Sequence, residues 1–103
     1  MTVRRLFGSS DPYRMPRDHS ENLITAEVLP ELFGTAPYHI RLGGSIAACP
    51  LFLKDLGCYT VKFAFQLEDE RLHAPYEFFC LTSFERGQKG YCLLLHRLNR
   101  LAV

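Results

Sequence analysis

Four cysteines and four histidines have the widest chemical reach in this chain, so a metal site is the first chemistry to test. Structural zinc takes closely spaced ligand pairs, because a short loop must wrap a tetrahedral ion. Here Cys49 and Cys58 stand nine residues apart, and Cys80 and Cys92 twelve. No metal or cofactor is expected. A cysteine nucleophile needs a thiolate beside a base. Read as a strand, the C-terminal segment puts Cys92 and His96 on one face but about 13 Å apart. Cys58 follows Gly57 at a turn and has no histidine paired with it. The four thiols lie in apolar settings and read as small, reduced, buried hydrophobes.

A second chemistry is phosphate binding with proton transfer. His96, Arg97, Arg86 and Lys89 cluster in the C-terminal part, with His73, Tyr76 and Arg100 nearby. Such groups on a helix-backed antiparallel sheet suit an RNA-binding or RNA-cleaving domain, an arrangement that some small bacterial toxins use. The net charge of +1 is low for that role, and Glu68, Asp69, Glu70 and Glu77 oppose phosphate approach. The run 68–70 reads as a solvated loop rather than paired catalytic carboxylates. Gly43-Gly44 is turn chemistry, and residues 86–90 do not match a phosphate-cradling loop. Aromatics are plentiful, but they sit among Leu and Cys rather than Lys and Arg, so core packing is their expected role.

These residues need elements to hold them. At 103 residues the chain is sized for one domain, with 48% apolar residues and 13% aromatic ones. Residues 1–17 read as a flexible or irregular arm with turn chemistry at Gly8 to Pro12 and apolar anchors at Leu6, Phe7, Tyr13 and Met15. Residues 18–103 read as a single α+β domain. Asp18 and Glu21 suggest the start of a helix, and Leu23, Ile24, Val28, Leu29, Leu32 and Phe33 supply its apolar stripe. Gly34 stops it; Pro30 either kinks it or ends it at Leu29. Tyr38, Ile40 and Leu42 alternate with His39 and Arg41 as a short strand, and Gly43-Gly44 turns it. Residues 45–57 are open between strand, helix and loop: 46–49 reads as a returning strand, after which Pro50 would open a short helix over 51–56, ended by Gly57.

From Tyr59 to Leu67 the alternation is clean, with Tyr59, Val61, Phe63, Phe65 and Leu67 on one face. The segments 78–81 and 91–95 are apolar on both faces and read as two further strands, joined by a hairpin loop at 86–90. The expected fold is therefore α+β: one main N-terminal helix packed on one face of a four- or five-stranded, mostly antiparallel sheet. One helix covers one face. The far face is left asking for a partner.

The function that follows is a small non-enzymatic protein-binding module acting by steric occlusion. An inhibitor, anti-activator or adaptor of a bacterial or phage accessory system fits that description, as a heteromeric partner or a homodimer. Its contact residues are expected to be Phe79, Leu81, Leu93 and Leu95, or the alternate-register set Phe78, Phe84, Cys92 and Leu94. Arg4, Arg5, Tyr13 and Arg14 would add secondary contacts. The other reading is a small RNA-binding or RNA-cleaving toxin-like domain using His96, Arg97, Arg86 and Lys89. A protein partner or a second copy ranks ahead of nucleic acid. No membrane role is expected, since no apolar run reaches the ~20 residues a bilayer needs. No secretory signal follows Arg4 and Arg5, and a cytoplasmic location is expected.

Overall fold

The helix expected near Asp18 forms as α1, Ser20–Phe33, with His19 rather than Asp18 at its N-cap. The computed structural model describes residues 1–43 and 46–101. Glu21 sits in the first turn, where a carboxylate favours the helix dipole. The helix runs through Pro30, which removes one backbone donor, and stops at Gly34. Gly34 takes φ of 72°, open to glycine at no steric cost, and its N–H donates to the Pro30 carbonyl at 2.8 Å.

Within the open stretch 45–57, a helix forms. It is α2, Ala48–Leu56, with Pro50 in its first turn and Gly57 as its left-handed cap. The tight turn expected at Gly43-Gly44 and the end of the C-terminal tail fall partly outside the described residues.

The α+β expectation is overturned. Among the described residues there is no strand and no sheet; three helices and one short 3-10 turn, Glu68–Glu70, carry the fold. Both segments assigned as the second and third strands contribute instead to α3, Leu81–Leu98, with 78–80 leading into it. The supposed hairpin loop at 86–90 is the middle of that helix. Its buried positions are Ser83, Gly87, Gly90 and Leu94, spaced by four, three and four residues. That is a helical stripe, but it is built of small residues, so the apolar pattern does not show it.

The glycines have a packing reason. A Cβ on Gly90 would lie 2.7 Å from Phe65 Cζ and 2.8 Å from Leu32 Cδ1. One on Gly87 would lie 3.3 Å from Phe65 Cδ2. Each glycine costs the helix about 1 kcal/mol of propensity relative to alanine. Ring burial offsets that, since a fully buried aromatic contributes about 1.5–3 kcal/mol.

The clean alternation at 59–67 survives in a different setting. The run has no turn or bend and pairs with no other strand. Phe63 is buried and Phe65 half-buried, while Lys62, Ala64 and Gln66 are exposed. The run lies on the α1–α3 pair, where Val28, Phe63 and Leu94 form the buried cluster. Ile24, Leu29, Leu32, Phe65, Leu93 and Leu98 pack against it. Phe63 meets both Phe65 (4.9 Å) and Tyr91 (5.3 Å) edge-on, and the Tyr91 hydroxyl donates to the Phe63 carbonyl at 2.6 Å. Across the helices, Arg97 pairs with Glu31 and approaches Glu27 at 4.0 Å. Arg86 covers the Phe33 ring at 4.7 Å.

Glu70 is the largest correction to the expected solvated loop. It is the most voluminous fully buried side chain, at 0% exposure. Its carboxylate accepts the Leu67 N–H at 3.0 Å and the Cys80 N–H at 2.8 Å. Its own carbonyl accepts the Phe78 N–H at 3.2 Å. These bonds fasten the base of a turn in which Arg71, His73 and Tyr76 all take positive φ. Left-handed backbone costs a non-glycine residue about 1 kcal/mol, so the turn needs such a brace.

Candidate functional site

The 59–63 stretch is the shared wall of two concavities. On the α2 side, a cavity of about 420 Å³ is lined almost wholly by apolar groups, among them Phe52, Leu56, Tyr59, Val61, Phe63 and Leu98. It exists because α2 stands off from the core. Only Cys49 of α2 is buried, while Leu51, Phe52 and Leu56 remain exposed.

On the other side lies a larger groove of about 670 Å³. Its walls are the arm at 13–17, α1 near Thr25 and Leu29, residues 37–42, and residues 60–62. Tyr13 fixes the arm. Its hydroxyl accepts the Thr60 N–H at 2.7 Å and donates to the Thr60 carbonyl at 2.9 Å, so one side chain satisfies both backbone groups of one residue. The Asn22 side-chain amide donates to the Arg17 carbonyl at 2.9 Å and holds the arm against α1.

The charge of this groove is one-sided. Arg14, Arg17, Arg41 and Lys62 line it, and no carboxylate does. None of these four cations has a carboxylate partner among the described residues. Elsewhere Arg97 is paired with Glu31 and Glu27, Lys89 with Glu85 at 3.1 Å, and Arg86 lies on the Phe33 ring, while Arg4, Lys54, Arg71 and Arg100 have no carboxylate partner among the described residues either; what marks the groove is four such cations in one place. Residues 37–42 run without turn or bend, and their backbone makes no hydrogen bond among the described residues. Tyr38, Ile40 and Leu42 are 92%, 73% and 79% exposed.

The expected contact residues scatter. Leu93 packs against the core cluster and Leu94 lies within it, whereas Phe79, Leu81 and Leu95 are exposed. Helical geometry turns Leu93 and Leu95 to different sides of α3, so the period-two grouping does not describe one face. Of the alternate set, Phe78, Phe84 and Cys92 are exposed. Arg4 is exposed at the outer arm, and Arg5 donates to the Ser9 hydroxyl at 3.2 Å. Tyr13 and Arg14 do reach the groove. The four residues of the RNA reading spread along α3, with Arg86 and Arg97 about 16 Å apart along the axis. His96 is exposed, and the other three are held by the contacts given above.

Sequence reasoning missed Arg17, Arg41 and Lys62. The signal lay in the 37–42 alternation, whose two faces are both exposed, but nothing in spacing brings residue 41 beside residue 62. The thiol reading is also corrected: Cys49 is buried and Cys80 half-buried, but Cys58 and Cys92 are exposed, all four free. Cys80 is the N-cap of α3, and the Ser83 amide, then the Thr82 amide and hydroxyl, hold its thiol below the ordinary value. Among the described residues no three His, Cys, Asp or Glu side chains converge on a metal position. No described helix is long and apolar enough to cross a membrane. Comparison of the chain with family models, curated proteins and solved structures finds no match in any of the three.

Proposed function

We propose that this chain is a non-enzymatic protein-binding module that completes its own packing on its partner and acts by covering part of that partner's surface. One observation carries the reading. The chain exposes 8860 Å², where a compact monomer of its mass exposes about 5,900 Å². Its radius of gyration is 16.4 Å, against about 13 Å for a compact chain of this length. The excess is well above the ~800 Å² that each side of a standard protein interface contributes.

Part of that surface is apolar and borders the two concavities. Phe52 and Leu56 rim the apolar cavity, and Tyr38, Ile40 and Leu42 rim the groove. Exposed apolar area of this kind is removed from water when a protein partner docks, which is favourable at about 25 cal/mol per Å² before ordering costs.

The test is hydrogen exchange on the isotope-labelled chain, alone and after affinity capture of its host partner. Amides of 37–42 and α2 are expected to exchange freely in the isolated chain and to gain protection in the complex. A chain that stays monomeric across concentration, captures no protein and shows full protection of these amides when alone would overturn the reading.

A further inference from the structure

We infer that the basic groove receives an extended acidic segment of the protein partner, laid alongside residues 37–42 with carboxylates alternating with aliphatic side chains. This rests on the protein-binding reading above and names the chemistry of what enters one site.

Three observations converge. The first is charge. Arg14, Arg17, Arg41 and Lys62 share one groove that no carboxylate lines, and no carboxylate among the described residues neutralises any of them. Four cations without counter-charge attract an anionic occupant and disfavour a cationic one.

The second is the backbone. Residues 37–42 form an unbent run whose N–H and C=O groups have no partner among the described residues. Such a run offers a main-chain edge to a second extended segment. At 60–62 the same opportunity is partly closed, because Tyr13 occupies both backbone groups of Thr60.

The third is periodicity. Arg41 and His39 alternate with Tyr38, Ile40 and Leu42, all exposed. Once paired as a strand, such a run presents successive side chains to opposite sides. A segment paired to it therefore meets a basic row on one side and an apolar row on the other. The best match alternates acidic with aliphatic residues.

Single-stranded nucleic acid fits the charge but not the rest. It binds through stacked aromatics on a basic track. Here the displayed rings of the groove are Tyr38 and His39, adjacent in the chain rather than set along a track, Tyr13 is committed to Thr60, and Ile40 and Leu42 are also displayed. A nucleic acid also leaves the main-chain edge unused.

The probes are fluorescein-labelled synthetic peptides of eight residues: glutamate alternating with valine, glutamate alternating with serine, and lysine alternating with valine. A ten-nucleotide oligothymidylate is the fourth. Anisotropy is read on the full chain at low and high salt. The glutamate–valine peptide is expected to bind tightest and to weaken severalfold between about 50 and 200 mM salt. The glutamate–serine peptide should be weaker and the lysine–valine peptide silent. Arg41→Glu with Lys62→Glu should lower the affinity by about tenfold or more. Arg86→Glu, outside the groove lining and against the Phe33 ring, should leave it unchanged.

The proposal is overturned by tightest binding of the oligonucleotide, by equal binding of both charged valine peptides, or by a double reversal without effect. It also fails if the double reversal abolishes self-association of a chain that ignores the peptide, since the occupant is then a second copy. Thermal melting of the double variant within a few degrees of the parent keeps the comparison valid. If captured host protein still binds the double variant as tightly as the parent, the groove assignment fails while the protein-binding reading stands.

Discussion

Residues 38–42 and 59–67 both run without a bend, both alternate apolar with polar side chains, and neither belongs to a sheet. What differs is what lies beneath them. The 59–67 run sits on α1 and α3, where Gly87 and Gly90 leave room for the rings of Phe63 and Phe65. Glu70 fastens its exit by holding Leu67 and Cys80. The 38–42 run has no such bed, and its aliphatic side chains face solvent. Alternation therefore specifies a surface with two characters; it does not specify that a neighbouring strand exists. The run that met helices buries Phe63 and half-buries Val61 and Phe65, and the one that did not stays exposed.

The sharpest way to break this contrast is to truncate equivalent residues of the two runs. Phe63→Ala is expected to destabilise by about 3–5 kcal/mol, because it empties a buried ring site. Ile40→Ala should stay within about 0.5 kcal/mol, since its side chain is 73% exposed. Urea denaturation of both variants reads the difference. Equal losses would mean that 38–42 is held by the fold after all.

A smaller effect isolates the bed itself. Gly90→Ala gains about 1 kcal/mol of helix propensity but drives a methyl into Phe65, Leu32 and Phe63, for a net loss of about 1–2 kcal/mol. Gly87→Ala meets only Phe65, at 3.3 Å, and its propensity gain offsets the squeeze to within about 0.5 kcal/mol. Phe65→Leu should largely rescue Gly90→Ala in a double-mutant cycle. If both alanines stabilise alike, close ring contact is not why the glycines stand there.

The smallest effect lies where the braced turn meets α3. The Cys80 thiol is held below its ordinary value by the amides of Ser83 and Thr82. A depressed acid contributes stability above its unfolded pKa and loses it as pH falls through the folded one. Iodoacetamide should thus modify Cys80 at lower pH in the folded chain than in denaturant. An unchanged pH midpoint for Cys80 on unfolding would contradict this hold on the thiol.

Legibility in the sequence followed the kind of information each element carries. α1 announces itself through its apolar stripe and Gly34; α2 was only half legible, since Pro50 and Gly57 allowed a helix without deciding against a strand or a loop. α3 does not announce itself, because its buried stripe is serine and glycine, residues that read as turn formers until the rings that need them are known. Glu70 looked like a solvated acid among acids; its burial depends on two amides, at 67 and 80, that only the folded turn brings together. The groove was half visible. Tyr13 and Arg14 stood out in the arm, but Arg17, Arg41 and Lys62 join them through tertiary placement. The absence of a sheet removed the shared face assigned to Phe79, Leu81, Leu93 and Leu95, yet exposed apolar area, the reason for expecting a partner, persists elsewhere on the molecule.

The two hydrogen bonds between the Tyr13 hydroxyl and the Thr60 backbone tie together residues 47 apart in the chain. Closing a loop of that length from an open coil costs roughly 3 kcal/mol, whereas two neutral hydrogen bonds return about 2 kcal/mol. The tie cannot form on its own strength. It waits until α1 and α3 have already delivered both ends, so the arm is last to dock during folding and first to lift when the molecule breathes. Proteolytic nicking near Tyr13 should therefore precede any cleavage within the helical pair.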